Sequence, residues 1–293
     1  MITLEFVWID VFARKRLEGN QLAVFTDARG LTDQQMQLIA REMGLSETTF
    51  VFPESPDKQA IDGIHTRIFT TAEELPFAGH PTLGTAMVLR GEKKIDKIVL
   101  NLRVGKIPVR FSETGGKIFG EMTQADPTFG MIHDKEKISR VLGIDVSDID
   151  SNFPVQTVST GNPFIIVPFK RLKTLHDLSP EWRTMQSYLE KSNARFFYMV
   201  STEVVDPESI LHARMIYYGG EDPATGSAAG PAAAWMIRYG LLKPEVLAQI
   251  EQGIEILRPS QIFVRGSLNG SLPANIRVGG YCYEVARGRL NLD

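Results

Sequence analysis

The chain has 293 residues, 43% of them hydrophobic and 23% charged, the composition of an ordinary globular protein with room for about two domains. Lys and Arg number 32 and Asp and Glu 35, a net charge of −3 with no basic block, which argues against a nucleic-acid or anionic-membrane binder. One cysteine, Cys282, excludes an internal disulfide, a cysteine-based zinc site and two-thiol catalysis, and is expected to be a buried strand residue.

The opening residues, Met1 to Asp10, read as a strand and not as a signal peptide, because no basic segment precedes an apolar stretch. The longest uncharged stretch, Pro223 to Ile237, is too short to span a bilayer, so the cytoplasm is the expected location. Strands are expected at Phe6–Phe12 and Leu22–Phe25. A helix follows at Thr32–Met43, with Thr32 and Gln35 at capping-box spacing, Met36, Ile39, Ala40 and Met43 as its apolar stripe, and Gly44 at its stop. Strands at Thr48–Phe52 and Ile64–Thr70 precede a small-residue helix, Pro81–Leu89, closed by Gly91. The second half repeats this order: strands Val155–Ser159 and Phe164–Val167, a helix Ser179–Glu190 with Pro180 at its first position, strands Phe196–Val200 and Ala213–Tyr218, and a small-residue helix Ala228–Arg238 closed by Gly240.

The repetition is visible residue by residue. His65–Ala86 set above His212–Ala233 gives 6 identities in 22 positions without a gap: His65/His212, Arg67/Arg214, Glu74/Glu221, Pro76/Pro223, Gly79/Gly226 and Ala86/Ala233. Gly19-Asn20-Gln21-Leu22 likewise resembles Gly161-Asn162-Pro163-Phe164. Many strands around an Ala/Gly-rich helix suggest a curled sheet wrapped on that helix, once per half. Two such halves facing each other would hold a ligand cleft between them, with the residues that break the symmetry carrying the chemistry.

Two glycine-rich turns precede the small-residue helices, Ala78-Gly79-His80-Pro81 and Ala224-Thr225-Gly226-Ser227-Ala228. Main-chain N–H groups at a helix start make an anion site, so a matched pair suits a small carboxylate; the plainer reading is tight turns only. His80 aligns with Ser227 and Asp222 with Leu75 across the repeat. Asp222, before Pro223, also fits a plain turn residue or cap. His133 and His176 are assigned to polar loops, and His65 and His212 to structural roles at strand starts. Glu47, aligned with Ala194 and so present once, enters an apolar strand. Half-buried, it would suit proton transfer; solvated, it would be a local cap. No phosphate loop, dinucleotide fingerprint, zinc-helix motif or nucleophile elbow is present, and a hydrolase built on Ser227, His80 and Asp222 stays formally open.

Three segments carry a resemblance: Gly44-Leu45-Ser46-Glu47-Thr48-Thr49-Phe50-Val51, Glu74 to Ala86, and Glu221 to Gly230, with Ile9-Asp10-Val11-Phe12 and Gly19-Asn20 at the start. Together they resemble the signatures of the PhzF-like family. The resemblance implies an α+β, diaminopimelate-epimerase-like fold of two pseudo-symmetric domains, each a curled, mainly antiparallel sheet around a central helix, and a homodimer. The expected domains are residues 1–115 plus 275–293, with Glu47 and the Gly79-His80 turn, and residues 116–274, with Asp222 and the Gly226-Ser227 turn. The family's best-understood member converts trans-2,3-dihydro-3-hydroxyanthranilate to its keto isomer with no cofactor or metal. By motif, Glu47 matches the catalytic acid/base, His80 and Asp222 the residues holding the substrate's polar groups, and Gly79, Gly226 and Ser227 the substrate-carboxylate site.

This chain departs from the family pattern in two places. Thr70 is followed by Thr71 where the phenazine enzyme has Thr-Pro, and Met215 to Asp222 is a shorter approach that carries Tyr217 and Tyr218 toward the cleft, either to meet a different substrate or to pack. The expectation is a cofactor-independent isomerase of a small carboxylate-bearing substrate. The competing expectation is a non-catalytic small-molecule or protein-binding member of the same fold.

Overall fold

The computed structural model describes residues 2–218 and 220–292; Met1, Gly219 and Asp293, which fall in the expected first strand, the approach to Asp222 and the C-terminal segment, lie outside the described residues. The chain divides into two units, residues 1–123 with 279–293, and residues 124–278.

The first unit holds strands β1 (Ile2–Val11), β2 (Asn20–Phe25), β3 (Glu47–Phe52), β4 (Ile64–Phe69), β5 (Glu74–Leu75), β6 (Lys97–Leu102), β7 (Gly105–Thr114) and β8 (Lys117–Thr123), and helices α1 (Asp33–Met43), α2 (Pro56–Asp62) and α3 (Gly79–Arg90). The second holds β9 (Thr128–Ile132), β10 (Gln156–Ser159), β11 (Pro163–Phe169), β12 (Phe196–Ser201), β13 (Ser209–Arg214), β14 (Ile216–Tyr217), β15 (Gly220–Glu221), β16 (Ala248–Gln252) and β17 (Ser260–Asn269). Its helices are α4 (Lys135–Leu142), α5 (Leu172–His176), α6 (Trp182–Ser192) and α7 (Gly226–Arg238). The last strand, β18 (Leu272–Leu292), starts in the second unit and ends in the first.

In the first unit the strands run in the order β1-β2-β3-β4-β6-β7-β8-β18, and β18 pairs back onto β1, so the sheet closes on itself. The β2–β3 and β4–β6 pairs are parallel, with α1 and α3 as their crossovers, and most other pairs are antiparallel. Closure removes the edges that an open sheet would leave unpaired. Helix α3 fills the ring, buried from Gly79 to Ala86. At Gly84 a Cβ would stand 2.7 Å from both Leu22 and Val11, which is why a small-residue helix is needed there. Helix α1 covers the outer face, placing Met36, Ile39 and Ala40 on Phe25, Phe50 and Phe69. Thr32 caps it with the full capping box, and Gly44, at φ 64°, stops it.

The second unit uses the same plan in the order β9-β10-β11-β12-β13-β16-β17-β18, with β11–β12 and β13–β16 parallel. Gln124 N–H donates to Ile276 O at 2.9 Å, joining the segment before β9 to β18. Helix α7 is buried along nearly its whole length, and at Gly230 a Cβ would collide with the Gln124 amide.

The Arg and Glu identities of the repeat make the same contact in both units. Arg67 grips Glu74 with two hydrogen bonds of 2.8 and 2.7 Å, and Arg214 grips Glu221 with two of 2.9 and 2.7 Å. Each pair ties a strand to the short strand just before the central helix. Such two-pronged Arg–carboxylate bonds are the stronger, geometrically selective kind.

Several sequence expectations need correction. Helix α6 starts at Trp182 with Glu181 as its N-cap and ends at Asn193, in the left-handed region at φ 53°, so Pro180 lies before it and not at its first position. The strand expected at Ala213–Tyr218 is Ser209–Arg214, after which Ile216–Tyr217 turns off to pair with β15. The strand expected to reach Phe12 stops at Val11, because Phe12 turns the chain at φ 59°. Both central helices start two residues earlier than expected, at Gly79 and Gly226.

Candidate active site

In the first unit Glu47 opens β3, directly after the Gly44 stop of α1, and lies opposite Leu22 of β2. Thr49, two residues on and therefore on the same face of the strand, meets Thr85 of the central helix at 2.8 Å. The Glu47 carboxylate thus points inward, with its side chain 15% exposed, the half-buried state of the two that the sequence left open.

His80 is the second residue of α3 and is buried. Its Nε2 stands 3.5 Å from Glu47 Oε2, and its Nδ1 lies 3.1 Å from the side-chain amide of Asn20. Burial lowers its pKa from 6.5 to about 3, only partly offset by the Gln21 carbonyl, so the ring is neutral near pH 7. Gly79 starts the helix, and its N-cap, Ala78, offers no side-chain acceptor. Since Pro81 carries no N–H and Thr82 already bonds Ala78 O, the main-chain donors at this helix start are those of Gly79 and His80.

In the second unit Asp222 is buried at the end of the β14–β15 hairpin, with its N–H on Met215 O at 2.9 Å and its carboxylate accepting from Thr225 Oγ1 at 2.6 Å. Gly226 and Ser227 are the first residues of α7; Ala228 and Ala229 both bond Thr225 O, leaving the N–H groups of Gly226 and Ser227 without acceptors inside the helix. Gln124 holds this end of the helix through a 2.9 Å bond to Gly226 O.

The structure therefore brings Glu47, Gly79 and His80 together in one unit and Asp222, Gly226 and Ser227 together in the other. Sequence reasoning missed Asn20, Thr225, Gln252 and Tyr198, which hold these groups. Asn20 stood in a quoted motif, and Thr225 in a quoted turn, but their partners are distant in the chain. Strand register also corrects the partner of Glu47 across the repeat. Leu22 faces Glu47 and Phe164 faces Phe196, so the equivalent residue is Phe196 rather than Ala194, and the carboxylate still occurs once.

The other histidines are structural, but not all as expected. His133 does lie in a loop, between β9 and α4, but it is buried there, bridging Tyr188 and Thr157 at 2.8 and 2.7 Å. His176 is exposed at the end of α5 and His65 stacks on Phe52. His212 is buried between Glu251 and Glu255 at 2.8 and 2.9 Å; against the cost of burial, these carboxylates raise its pKa to about 9. Tyr217 and Tyr218 pack edge-on against each other and against Phe196 and Trp182 respectively. Cys282 is a β18 residue opposite Val11. Among the described residues no group of three or more His, Cys, Asp or Glu is placed to hold a metal ion, and no helix is long and apolar enough to cross a membrane.

Two solved structures share this fold along the whole chain. One is a predicted epimerase from Pseudomonas aeruginosa, 32% identical with a TM-score of 0.86, covering 99% of this chain and 100% of its own. The other is a PhzF-family phenazine biosynthesis protein from Bacillus anthracis, 28% identical with a TM-score of 0.89, covering 100% of both chains. The class is thus an epimerase-like, mostly β enzyme fold. A curated relative, the trans-2,3-dihydro-3-hydroxyanthranilate isomerase of Pseudomonas aeruginosa, is 34% identical over 98% of this chain and 99% of its own. With the profile of the phenazine biosynthesis-like proteins matching residues 9–288, the chain belongs to the PhzF-like family of isomerases.

Proposed function

We propose that the protein is a cofactor-independent isomerase that moves a proton by general acid/base catalysis on a small carboxylate-bearing substrate similar to trans-2,3-dihydro-3-hydroxyanthranilate. The observation that carries the reading is the placement of one half-buried carboxylate, Glu47, 3.5 Å from a buried neutral imidazole at a helix start.

In this mechanism Glu47 takes a proton from a carbon of the substrate and returns one to another carbon, so nothing is gained or lost overall. Neutral His80 supplies a hydrogen-bonding edge, not a charge, and with Asp222 holds the substrate's polar groups. The N–H groups of Gly79 at one helix start, and of Gly226 and Ser227 at the other, receive the substrate carboxylate, each start with its helix dipole behind it. Holding substrate and base in reacting geometry with water excluded supplies the remainder. The family resemblance further supports a homodimer, which light scattering of the purified protein tests.

The experiment is turnover of trans-2,3-dihydro-3-hydroxyanthranilate, followed by its ultraviolet absorbance, with wild type and Glu47→Gln. Wild type is expected to consume it and the variant to be slower by about 10²–10⁴-fold. Unchanged turnover in Glu47→Gln would remove Glu47 as the base. A folded wild type inert toward this compound would move the search to other small carboxylates.

A further inference from the structure

Behind Asp222 lies a buried chain of hydrogen bonds whose direction the backbone fixes. Gln252, the last residue of β16, makes four bonds. Its Nε2 donates to the main-chain oxygen of Asp222 at 2.7 Å and to Thr225 Oγ1 at 2.9 Å; its Oε1 accepts from the main-chain N–H of Thr225 at 3.2 Å and from the Tyr198 hydroxyl at 3.1 Å. A main-chain carbonyl can only accept and a main-chain N–H can only donate, so these two partners permit one orientation of the Gln252 amide. With Nε2 donating to Thr225 Oγ1, the single hydroxyl proton of Thr225 goes to Asp222 Oδ2, 2.6 Å away. Polarity therefore runs from Gln252 through Thr225 into the Asp222 carboxylate. Tyr198, Gln252, Thr225 and Asp222 are all buried.

The repeat supplies a control within the same molecule. Arg67 pairs with Phe50 and Arg214 with Met199, so Tyr198 stands where Thr49 does. His65 pairs with Asn101 and His212 with Glu251, so Gln252 stands where Leu102 does. Asp222 and Thr225 align with Leu75 and Ala78. The first unit thus builds the same strand, turn and helix start, with the same Arg–Glu pair, from side chains that cannot form this chain of bonds. Burying a phenol and an amide has a solvation cost that the fold does not require.

We propose that Gln252, Thr225 and Tyr198 are positioning residues that present Asp222 as a hydrogen-bond acceptor, so that the substrate group it receives is a donor, a hydroxyl or an amino N–H. This rests on the reading of Asp222 as a substrate-holding residue.

The test has a ligand-free arm and a binding arm. In protein labelled with 13C at aspartate Cγ, the Asp222 signal, assigned by its loss in Asp222→Asn, is expected to shift at neutral pH in Thr225→Val and Gln252→Glu. It is expected to stay in place in Thr225→Ser, which keeps the hydroxyl. An unmoved signal in Thr225→Val overturns the proposal whatever the enzyme's activity. For binding, the probes are 3-hydroxyanthranilate, which carries amino and hydroxyl donors beside its carboxylate, and benzoate, which carries the carboxylate alone. Thr225→Val and Gln252→Glu should weaken 3-hydroxyanthranilate by about tenfold or more, leave benzoate within about twofold, and Thr225→Ser should restore the preference. Equal losses for both probes, or none, overturn the donor assignment. A shifted signal with the expected selective loss of 3-hydroxyanthranilate, in protein that does not turn over trans-2,3-dihydro-3-hydroxyanthranilate, would count against the isomerase reading and leave the positioning role standing.

Discussion

The starts of the two central helices are built alike and equipped differently. Each follows a short strand tied down by an Arg–Glu pair, Arg67–Glu74 or Arg214–Glu221, and each leaves two main-chain N–H groups without helical acceptors. At α3 the added groups include a carboxylate, a neutral imidazole and the Asn20 amide beside it. At α7 the carboxylate is backed by bonds to Thr225 and, through it, Gln252 and Tyr198. A carboxylate that holds a substrate group gains from being fixed in place by such bonds. The difference teaches that a duplicated scaffold can divide labour through a handful of side chains.

The sharpest way to break that contrast is to exchange the consequences. Glu47→Gln should cost about 10²–10⁴-fold in kcat while leaving the melting temperature near that of wild type. Asp222→Asn should act mainly on KM. Equal kcat losses in both variants would mean that the two carboxylates share one role.

The shared ion pairs give the next effect. Arg214 and Glu221 are 8% and 9% exposed, and Arg214 also bonds the carbonyls of Leu175, His176 and Leu178. Removing it strands a buried carboxylate and three acceptors, so Arg214→Ala should destabilise by about 3–5 kcal/mol in denaturant titrations. Arg67→Ala should cost less, because Arg67 and Glu74 are 18% and 15% exposed and Arg103 still reaches Glu74 at 3.4 Å.

The pH dependence of stability follows from two histidines with opposite shifts. His212 is raised from 6.5 to about 9, so its contribution is full below pH 6.5 and lost as pH rises through 9. His80 is lowered from 6.5 to about 3, so the unfolded chain takes up its proton first and stability falls as pH drops from 6.5 toward 3. Melting temperatures across this range should be highest between the two limits, and His212→Gln should flatten the alkaline limb. The smallest effect belongs to Thr32→Ala, which removes the α1 cap and should cost about 1 kcal/mol.

What the sequence made legible was local or periodic. The Thr32 cap, the Gly44 stop and the small-residue helices announced themselves, and the Arg and Glu identities of the repeat turned out to be bonded to each other. The residues behind the site were not legible for a physical reason. Gln252 lies 27 residues from Thr225 and 54 from Tyr198, and His133 lies 55 from Tyr188, so only the sheet register and the packing reveal them as partners. The gapless alignment misplaced the twin of Glu47 because the loops between strands differ in length, which register sees and an offset does not.

The most direct test of the central claim is NMR of trans-2,3-dihydro-3-hydroxyanthranilate incubated with the protein in D2O, beside Glu47→Gln. Loss of the proton at C3 and entry of deuterium at C1 are expected with wild type, and neither with the variant. Deuterium entering at the same rate with Glu47→Gln would contradict that claim.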